Sequence, residues 1–299
     1  MVQTVLRRHK ASCVLDAGAL LGEGPHWWVE EQQLLWVDIE SGCIGLWDPA
    51  TGRNRSFPLG CHGGCVVPTL RDDLLLATAA GFQRLDPHSG ALSPLHDPEW
   101  HLPGNRFNDG KCDPWGRLWA GSMAYDFSPG AGSLWRLDSG LRAECMRSGL
   151  SISNGLAWSH DCSALYLIDS PTLEVRRFAL SPEGDPLDDG EVCVRIPSSW
   201  NCLPDGMTID REGMLWIALF NGGAVTRWDP SCGDHLATVE LPCSQVTSCC
   251  FGGPQLDQLF ITTARHQLSD QELAQQPLAG GLFMAEVGVQ GLPPQLFLG

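Results

Sequence analysis

The stretch NRFNDGKCDPWGRLWAGS, residues 105–122, contains a pattern that returns along the whole chain. A polar cluster that ends in glycine is followed by a turn and then by a short apolar run, which begins here at Leu118. The same order occurs after Glu23, Asn154 and Asp205, each of which directly precedes a glycine. A unit that recurs in this way predicts a fold built from repeats.

The apolar run of each repeat can be marked by one central aromatic or leucine residue. The markers stand 40, 43, 47, 50 and 44 residues apart, and they are Trp36, Leu76, Trp119, Tyr166, Trp216 and Phe260. Each repeat contains short strand-like segments separated by turns rich in Asp, Pro and Gly. A period of about 40 to 50 residues is typical of a β-propeller, in which each repeat forms one small antiparallel sheet. We therefore predict that residues 1–299 form one all-β domain, a six-bladed β-propeller.

Helical periodicity is almost absent, which excludes a fold that alternates strands with helices. Residues 269–276, SDQELAQQ, are predicted to form one short helix that ends before Pro277. We expect residues 12–20 to pair with residues 292–298 and so to close the ring of blades. The interruption of the third repeat at residues 124–132 is expected to form a lid over one face.

Composition restricts the partners of the protein. The formal net charge of −16 over 299 residues opposes binding to nucleic acid and to anionic membranes, because lysine and arginine carry most of the affinity for both. No run of 18 apolar residues and no signal sequence is present, so we expect a cytoplasmic protein, either a monomer or a weak homo-oligomer. The 13 cysteines are expected to be reduced thiols, and CHGGC at residues 61–65 lacks a second pair of zinc ligands at finger-like spacing.

Four polar residues share one phase of the repeat. Glu23, Asn108, Asn154 and Asp205 stand 13, 11, 12 and 11 residues before their markers. Matching phases of a propeller lie at the same height, so these side chains are expected to converge at one end of the central channel. Buried carboxylates repel one another unless a cation lies among them. The oxygen donors suit one divalent cation, namely calcium, magnesium, manganese, ferrous iron or zinc.

Other polar residues of the repeats are candidates for the rim of this site. Arg106 precedes Asn108 by two residues, so both side chains are expected on the same side of an extended strand. A salt bridge within the rim is the alternative role for this arginine. Lys111 and Asp113 are interpreted as supports of the strand, and the histidines that could lie near the mouth, as rim or packing residues, are His26, His62 and His101.

Four motifs resemble one known family. They are GEGPHW from Gly22, NRFNDGKCDPWGRLWAGSM from Asn105, SNGLAWS from Ser153 and PDGMTID from Pro204. In this order they are similar to the senescence marker protein/regucalcin/gluconolactonase family of sugar lactonases. The resemblance implies a six-bladed propeller with one divalent metal held by Glu23, Asn154 and Asp205.

The same resemblance implies roles for individual residues. Arg106 and Asn108 would bind the hydroxyls or the ring oxygen of an aldonolactone, and Asp205 would act as the general base. Asp126 stands where several family members place a substrate-binding glutamate. The implied activity is hydrolysis of a sugar lactone, gluconolactone-like or pentonolactone-like, to the aldonic acid.

Two other functions remain open at this point. A metal-dependent esterase or phosphotriesterase would use the same metal with a different substrate. A non-enzymatic propeller, either a calcium-binding regulatory protein or a scaffold of the WD-repeat or NHL type, would need no turnover at the channel.

Overall fold

Six small sheets make up the computed structural model, which describes residues 6–299. Two short strands precede the first blade, β1 (Arg7–Lys10) and β2 (Ser12–Leu15). Blade 1 contains β3 (Gly22–Trp28), β4 (Gln33–Asp38), β5 (Cys43–Trp47) and β6 (Asn54–Pro58). Blade 2 contains β7 (Gly63–Pro68), β8 (Leu74–Thr78), β9 (Gly81–Leu85) and β10 (Leu92–His96). Blade 3 contains β11 (Asn105–Cys112), β12 (Leu118–Ala124), β13 (Gly132–Leu137) and β14 (Ala143–Leu150).

The remaining blades repeat this antiparallel order. Blade 4 contains β15 (Ser153–Trp158), β16 (Ala164–Asp169), β17 (Glu174–Ala179) and β18 (Glu191–Arg195). Blade 5 contains β19 (Leu203–Ile209), β20 (Leu215–Phe220), β21 (Ala224–Asp229) and β22 (Asp234–Glu240). Blade 6 contains β23 (Val246–Gly252), β24 (Gln258–Thr263) and β25 (Leu282–Glu286). Two short 3-10 helices lie at Ser170–Thr172 and Ser198–Trp200.

The first strand of each blade lines the central channel. The strands β3, β7, β11, β15, β19 and β23 each contact the next one, and β23 contacts β3. This closed ring confirms the prediction of an all-β, six-bladed propeller. All six repeat markers lie on the second strand of their blades, where an aromatic or leucine side chain packs between sheets.

Apolar packing between blades holds the ring together. Blades 1 and 2, for example, share a cluster in which Leu35, Val37 and Ile44 pack with Val66 and Leu76, all at most 1% exposed. Burial of this kind stabilises the fold by roughly 25 cal/mol for each Å² of apolar surface. Because every blade buries both of its faces against neighbours, its inner strands consist largely of hydrophobic residues.

The closure of the ring differs from the prediction. The strand β2 does not pair with residues 292–298; it pairs with β25, with Ser12 opposite Met284 and Cys13 opposite Phe283. The strand β1 extends blade 5 instead, in parallel with β22. The predicted partner segment contains Pro293 and Pro294, which have no N–H group to donate to a ladder, whereas β25 presents an unpaired edge.

The predicted short helix is confirmed. The helix α1 covers Asp270–Gln275, and Ser269 caps it in a reciprocal pair of hydrogen bonds with Glu272. Within residues 6–299, no helix has the length and hydrophobicity needed to cross a membrane.

Candidate functional site

All six channel strands carry an irregularity in their pairing with the second strand at the same level. The register shifts lie between Glu23 and His26, Gly63 and Cys65, Phe107 and Asp109, Asn154 and Leu156, Pro204 and Met207, and Val246 and Ser248. A β-bulge bends the strand and changes the direction of the side chains beside it. The bulges therefore account for polar side chains that reach the channel at one level.

Four of the predicted site residues meet in a cavity of about 420 Å³ at this end of the channel, the carboxylate cavity. Glu23, Asn108, Asn154 and Asp205 line it, and each is at most 8% exposed. The amide nitrogen of Asn154 lies 2.5 Å from Asp205 Oδ1 and donates to Ser170 Oγ at 3.1 Å. Residues from four different blades, 1, 3, 4 and 5, thus line one cavity.

The carboxyl groups at this point hold their protons unusually strongly. Burial, followed by the nearby charges of Asp205 and Asp109, raises the pKa of Glu23 well above its ordinary value. Burial is also the largest cause of the raised pKa of Asp205. Together with the charge of Asp109, it raises this pKa to about 8. Asp109 itself has a raised pKa because it is buried, although Lys111 opposes the shift. Three carboxyls therefore share a region of low dielectric constant.

Arg106 lies beside this group at the cavity wall. Its guanidinium donates to Asn108 Oδ1 at 2.8 Å and to Phe107 O at 3.1 Å. It also lies over the ring of Tyr125, 6.0 Å from the ring centre. Arg106 and Asn108 therefore form one hydrogen-bonded unit, as their two-residue spacing predicts. Asn108 is held in turn by its own donation to Ser153 O at 3.1 Å.

Asp126 is the one predicted site residue that the structure does not bring to the cavity. Its side chain is exposed and accepts a hydrogen bond from Ser128 N at 3.0 Å. Its neighbours Tyr125 and Phe127 line the mouth instead. Residues 124–132 thus lie over the cavity at the position expected for a lid. Tyr125 connects this segment to blade 2, because its hydroxyl lies 3.0 Å from His62 Nδ1.

The three histidines have different positions. His62 lies at the mouth of the carboxylate cavity, whereas His101 is exposed. His26 is buried three residues beyond Glu23 and lines a separate cavity. Asp113 supports its strand, as interpreted from the sequence, since it accepts from Arg117 and Trp119 within blade 3. Lys111 donates across the channel to Leu156 O and Met207 O of blades 4 and 5.

The donor set fits a divalent cation. Among the residues that the structure describes, no three His, Cys, Asp or Glu side chains form a metal-binding group, so any cation would need the amide oxygen of Asn154 as well as the two carboxylates. The amide would have to turn to present this oxygen, because its nitrogen is the atom that faces Asp205. Glu23 and Asp205 form no ion pair within residues 6–299, and Arg106, which lines the same cavity, is bound to amide and backbone oxygens. Two mutually repelling carboxylates and an amide oxygen are hard ligands that suit such an ion.

Two further residues at the same level of the channel are not among the candidates predicted from the sequence. Gly64 and Thr247 stand 12 and 13 residues before their markers, so the repeat phase could have identified both. Thr247 donates its hydroxyl to Gly22 O at 2.6 Å. A Cβ at Gly64 would lie only 2.7 Å from the backbone of Phe107, so the two strands approach closely there. Blades 2 and 6 therefore contribute packing to this level, and the polar site is one-sided.

Gly206 provides a test of how closely the blades approach beside Asp205. A Cβ at Gly206 would overlap the side chain of Ser248 and lie 2.8 Å from its Cα. We expect Gly206→Ala to destabilise the protein by about 1–3 kcal/mol through overpacking and to displace Asp205. Urea denaturation measures the first effect. Gly104→Ala is the matched control, because a Cβ there meets nothing within 4 Å. Equal stability of the two variants would contradict the close approach of blades 5 and 6 at Gly206.

The comparisons with known proteins agree with this geometry. The sequence profile of the SMP-30/gluconolactonase/LRE-like region matches residues 21–265, which include all four channel motifs. The chain belongs to this family. The resemblance predicted from the motifs is therefore confirmed.

Members of the SMP-30/gluconolactonase/LRE-like family resemble the chain over almost its whole length. Regucalcin of Danio rerio is 36% identical over 97% of this chain and 99% of its own. The 6-deoxy-6-sulfogluconolactonase of Pseudomonas putida is 35% identical over 96% of this chain and 98% of its own. The crystal structure of regucalcin from Agrobacterium tumefaciens, described as a calcium-binding protein, superimposes with a TM-score of 0.93 at 29% identity and covers 98% of both chains.

Proposed function

We propose that the protein hydrolyses a sugar lactone to its aldonic acid with the help of one divalent cation. The observation that carries the proposal is the meeting of Glu23, Asn154 and Asp205 at one buried point beside the Arg106–Asn108 unit. Membership in a family that contains sugar lactonases supports the reaction class.

The residues present would hold the cation as Glu23, Asn154 and Asp205. When bound, a divalent cation supplies a Lewis acid that polarises the lactone carbonyl. Asp205, whose pKa is about 8, would be ionised at lower pH beside such a positive charge.

The ionised Asp205 carboxylate is placed to act as general base. It accepts a proton from a water molecule while the water oxygen forms a bond to the carbonyl carbon and the π electron pair of the carbonyl moves onto its oxygen. When this pair re-forms the C=O bond, the bond from the carbon to the ring oxygen breaks, and the proton returns from Asp205 to the ring oxygen, which becomes a hydroxyl group. The product is the open-chain hydroxy acid, and no further reactant is consumed.

Arg106 and Asn108 orient the substrate in this scheme. The guanidinium has N–H groups beyond the two hydrogen bonds that it makes with residues 6–299, and it lines the cavity wall. Fixed donors of this kind suit the hydroxyls of a five- or six-carbon aldonolactone. A cavity of about 420 Å³ accommodates either ring size.

A lactone panel tests the proposed function. We expect protein loaded with calcium, zinc, magnesium or manganese to open five- and six-carbon aldonolactones faster than the spontaneous reaction, measured by acid release at constant pH. Treatment with a chelator should abolish this activity, and reconstitution should restore it. Paraoxon in the same assay tests the phosphotriesterase alternative. Absence of turnover with every lactone and every metal would contradict the proposal and favour a calcium-binding regulatory protein.

A further inference from the structure

A second cavity, the far cavity, lies at the opposite end of the channel and has a volume of about 290 Å³. The same channel strands that line the carboxylate cavity also line this one, each with a residue three positions later. These residues are His26 after Glu23, Lys111 after Asn108, Ala157 after Asn154 and Thr208 after Asp205. Three residues of β-strand span about 10 Å, so the two cavities are separate.

Lys111 lies between the two cavities and contributes a positive charge to the wall of the far cavity. Its ammonium crosses the channel and donates to Leu156 O at 2.9 Å and Met207 O at 2.6 Å, so it connects blades 3, 4 and 5. An ammonium has three N–H donors, and the described residues use two of them. None of the salt bridges among residues 6–299 includes Lys111, although its charge acts on the buried Asp109 and lowers the pKa of that carboxyl. The wall of the far cavity therefore holds a cation with capacity to bind an anion.

His26 adds an unused hydrogen-bonding group to this wall. Its side chain is only 7% exposed, and it forms no hydrogen bond with any of residues 6–299. Burial, followed by the charge of Lys111, lowers the pKa of His26 to about 3, so the imidazole is neutral at physiological pH. A neutral imidazole carries one N–H donor. The Thr208 hydroxyl, on the same wall, likewise has no protein partner among these residues.

Most of the remaining wall of the far cavity is apolar, although Ser159, His160 and Gln295 also line it. Its walls include Trp27, Trp158, Ile209, Cys250 and Phe251, and the C-terminal residues 292–295 cover its outer side. This segment is held at both ends, by Gly291 N to Leu256 O at 2.7 Å and by Phe297 N to Pro68 O at 2.9 Å. The cavity is about ten times the volume that one water molecule occupies in the liquid, which suits a molecule with the size of one aromatic ring and a small head group.

We propose that the far cavity binds a small monocarboxylic acid with an aromatic or branched apolar body, its carboxylate facing Lys111 and His26. The apolar body would lie against the tryptophan side chains and the C-terminal segment. This site is independent of lactone hydrolysis, because none of its residues lines the carboxylate cavity.

Calorimetric titration with benzoate tests the proposal on chelator-treated protein, so that no metal can bind the carboxylate. We expect a dissociation constant of about 1 mM or lower, and at least about tenfold weaker binding of benzamide, which has the same shape without the charge. Asp205→Asn should leave benzoate binding unchanged, because this residue lies in the other cavity.

Two substitutions locate the bound benzoate. Lys111→Met and His26→Phe keep the side-chain size and should each weaken binding at least about tenfold. Since Lys111 also connects three blades, His26→Phe and Thr208→Val provide the test if the lysine variant does not fold, as judged by its melting curve. The proposal is wrong if benzoate gives no heat at about 10 mM, if benzamide binds equally well, or if binding is lost in Asp205→Asn but survives in His26→Phe.

Discussion

Asp205→Asn should reduce lactone hydrolysis by about a hundredfold to ten-thousandfold, the usual contribution of a general base. The amide cannot accept a proton, and it removes one of the two carboxylates that would hold the cation. The measurement is kcat with the best lactone of the panel, at a metal concentration that saturates the variant. Because Asp205 is buried beside Glu23 and Asp109, we also expect the metal-free variant to melt no lower than the parent protein.

The matched control is Asp257→Asn, which removes the same charge from an exposed turn of blade 6. This control should retain full activity. If Asp205→Asn retains activity at saturating metal, Asp205 is not the base, and water activation must be assigned to another group at the site.

The second large effect concerns the stability of blade 5. Asp210 is fully buried and accepts hydrogen bonds from Arg227 Nε at 2.8 Å, Trp216 Nε1 at 2.9 Å and Met214 N at 3.0 Å. Asp210→Ala would leave the buried guanidinium and the indole N–H without this acceptor. We expect a loss of about 3–5 kcal/mol in the free energy of unfolding, measured by urea denaturation.

Glu212→Ala is the control for this variant, because Glu212 binds the same arginine from the surface. Its carboxylate lies 2.6 Å from Arg227 Nη2, but its side chain is 63% exposed. Water replaces an exposed partner, so the expected loss is below about 1 kcal/mol. Similar losses in the two variants would mean that burial does not determine the strength of this network.

Much of the fold and part of the site follow from local sequence features. The repeat period predicts six blades because each blade needs the same short strands and turns, whichever blades lie beside it. The phase of Glu23, Asn154 and Asp205 predicts their meeting because equal positions in equal repeats lie at equal heights. The pairing of Arg106 with Asn108 follows from the alternation of side chains along a strand.

Features that depend on distant segments could not be predicted in this way. Which strand completes blade 6 depends on which edge is left open, and the edge of β25 is available while residues 292–295 cover the far cavity. The direction of the Asp126 side chain depends on a local turn with Ser128. It also depends on the contact between Tyr125 and His62 in the neighbouring blade 2.

The sequence by itself determined the architecture and the level of the polar site along the channel, since both are periodic properties of the chain. Only the tertiary structure decided that residues 105–122 serve both ends of the channel, with Asn108 in one cavity and Lys111 at the wall of the other. The physical reason is that cavities and the hydrogen bonds across the channel form between blades, as when Lys111 donates to carbonyl oxygens 45 and 96 residues away. No local sequence pattern indicates which blades meet.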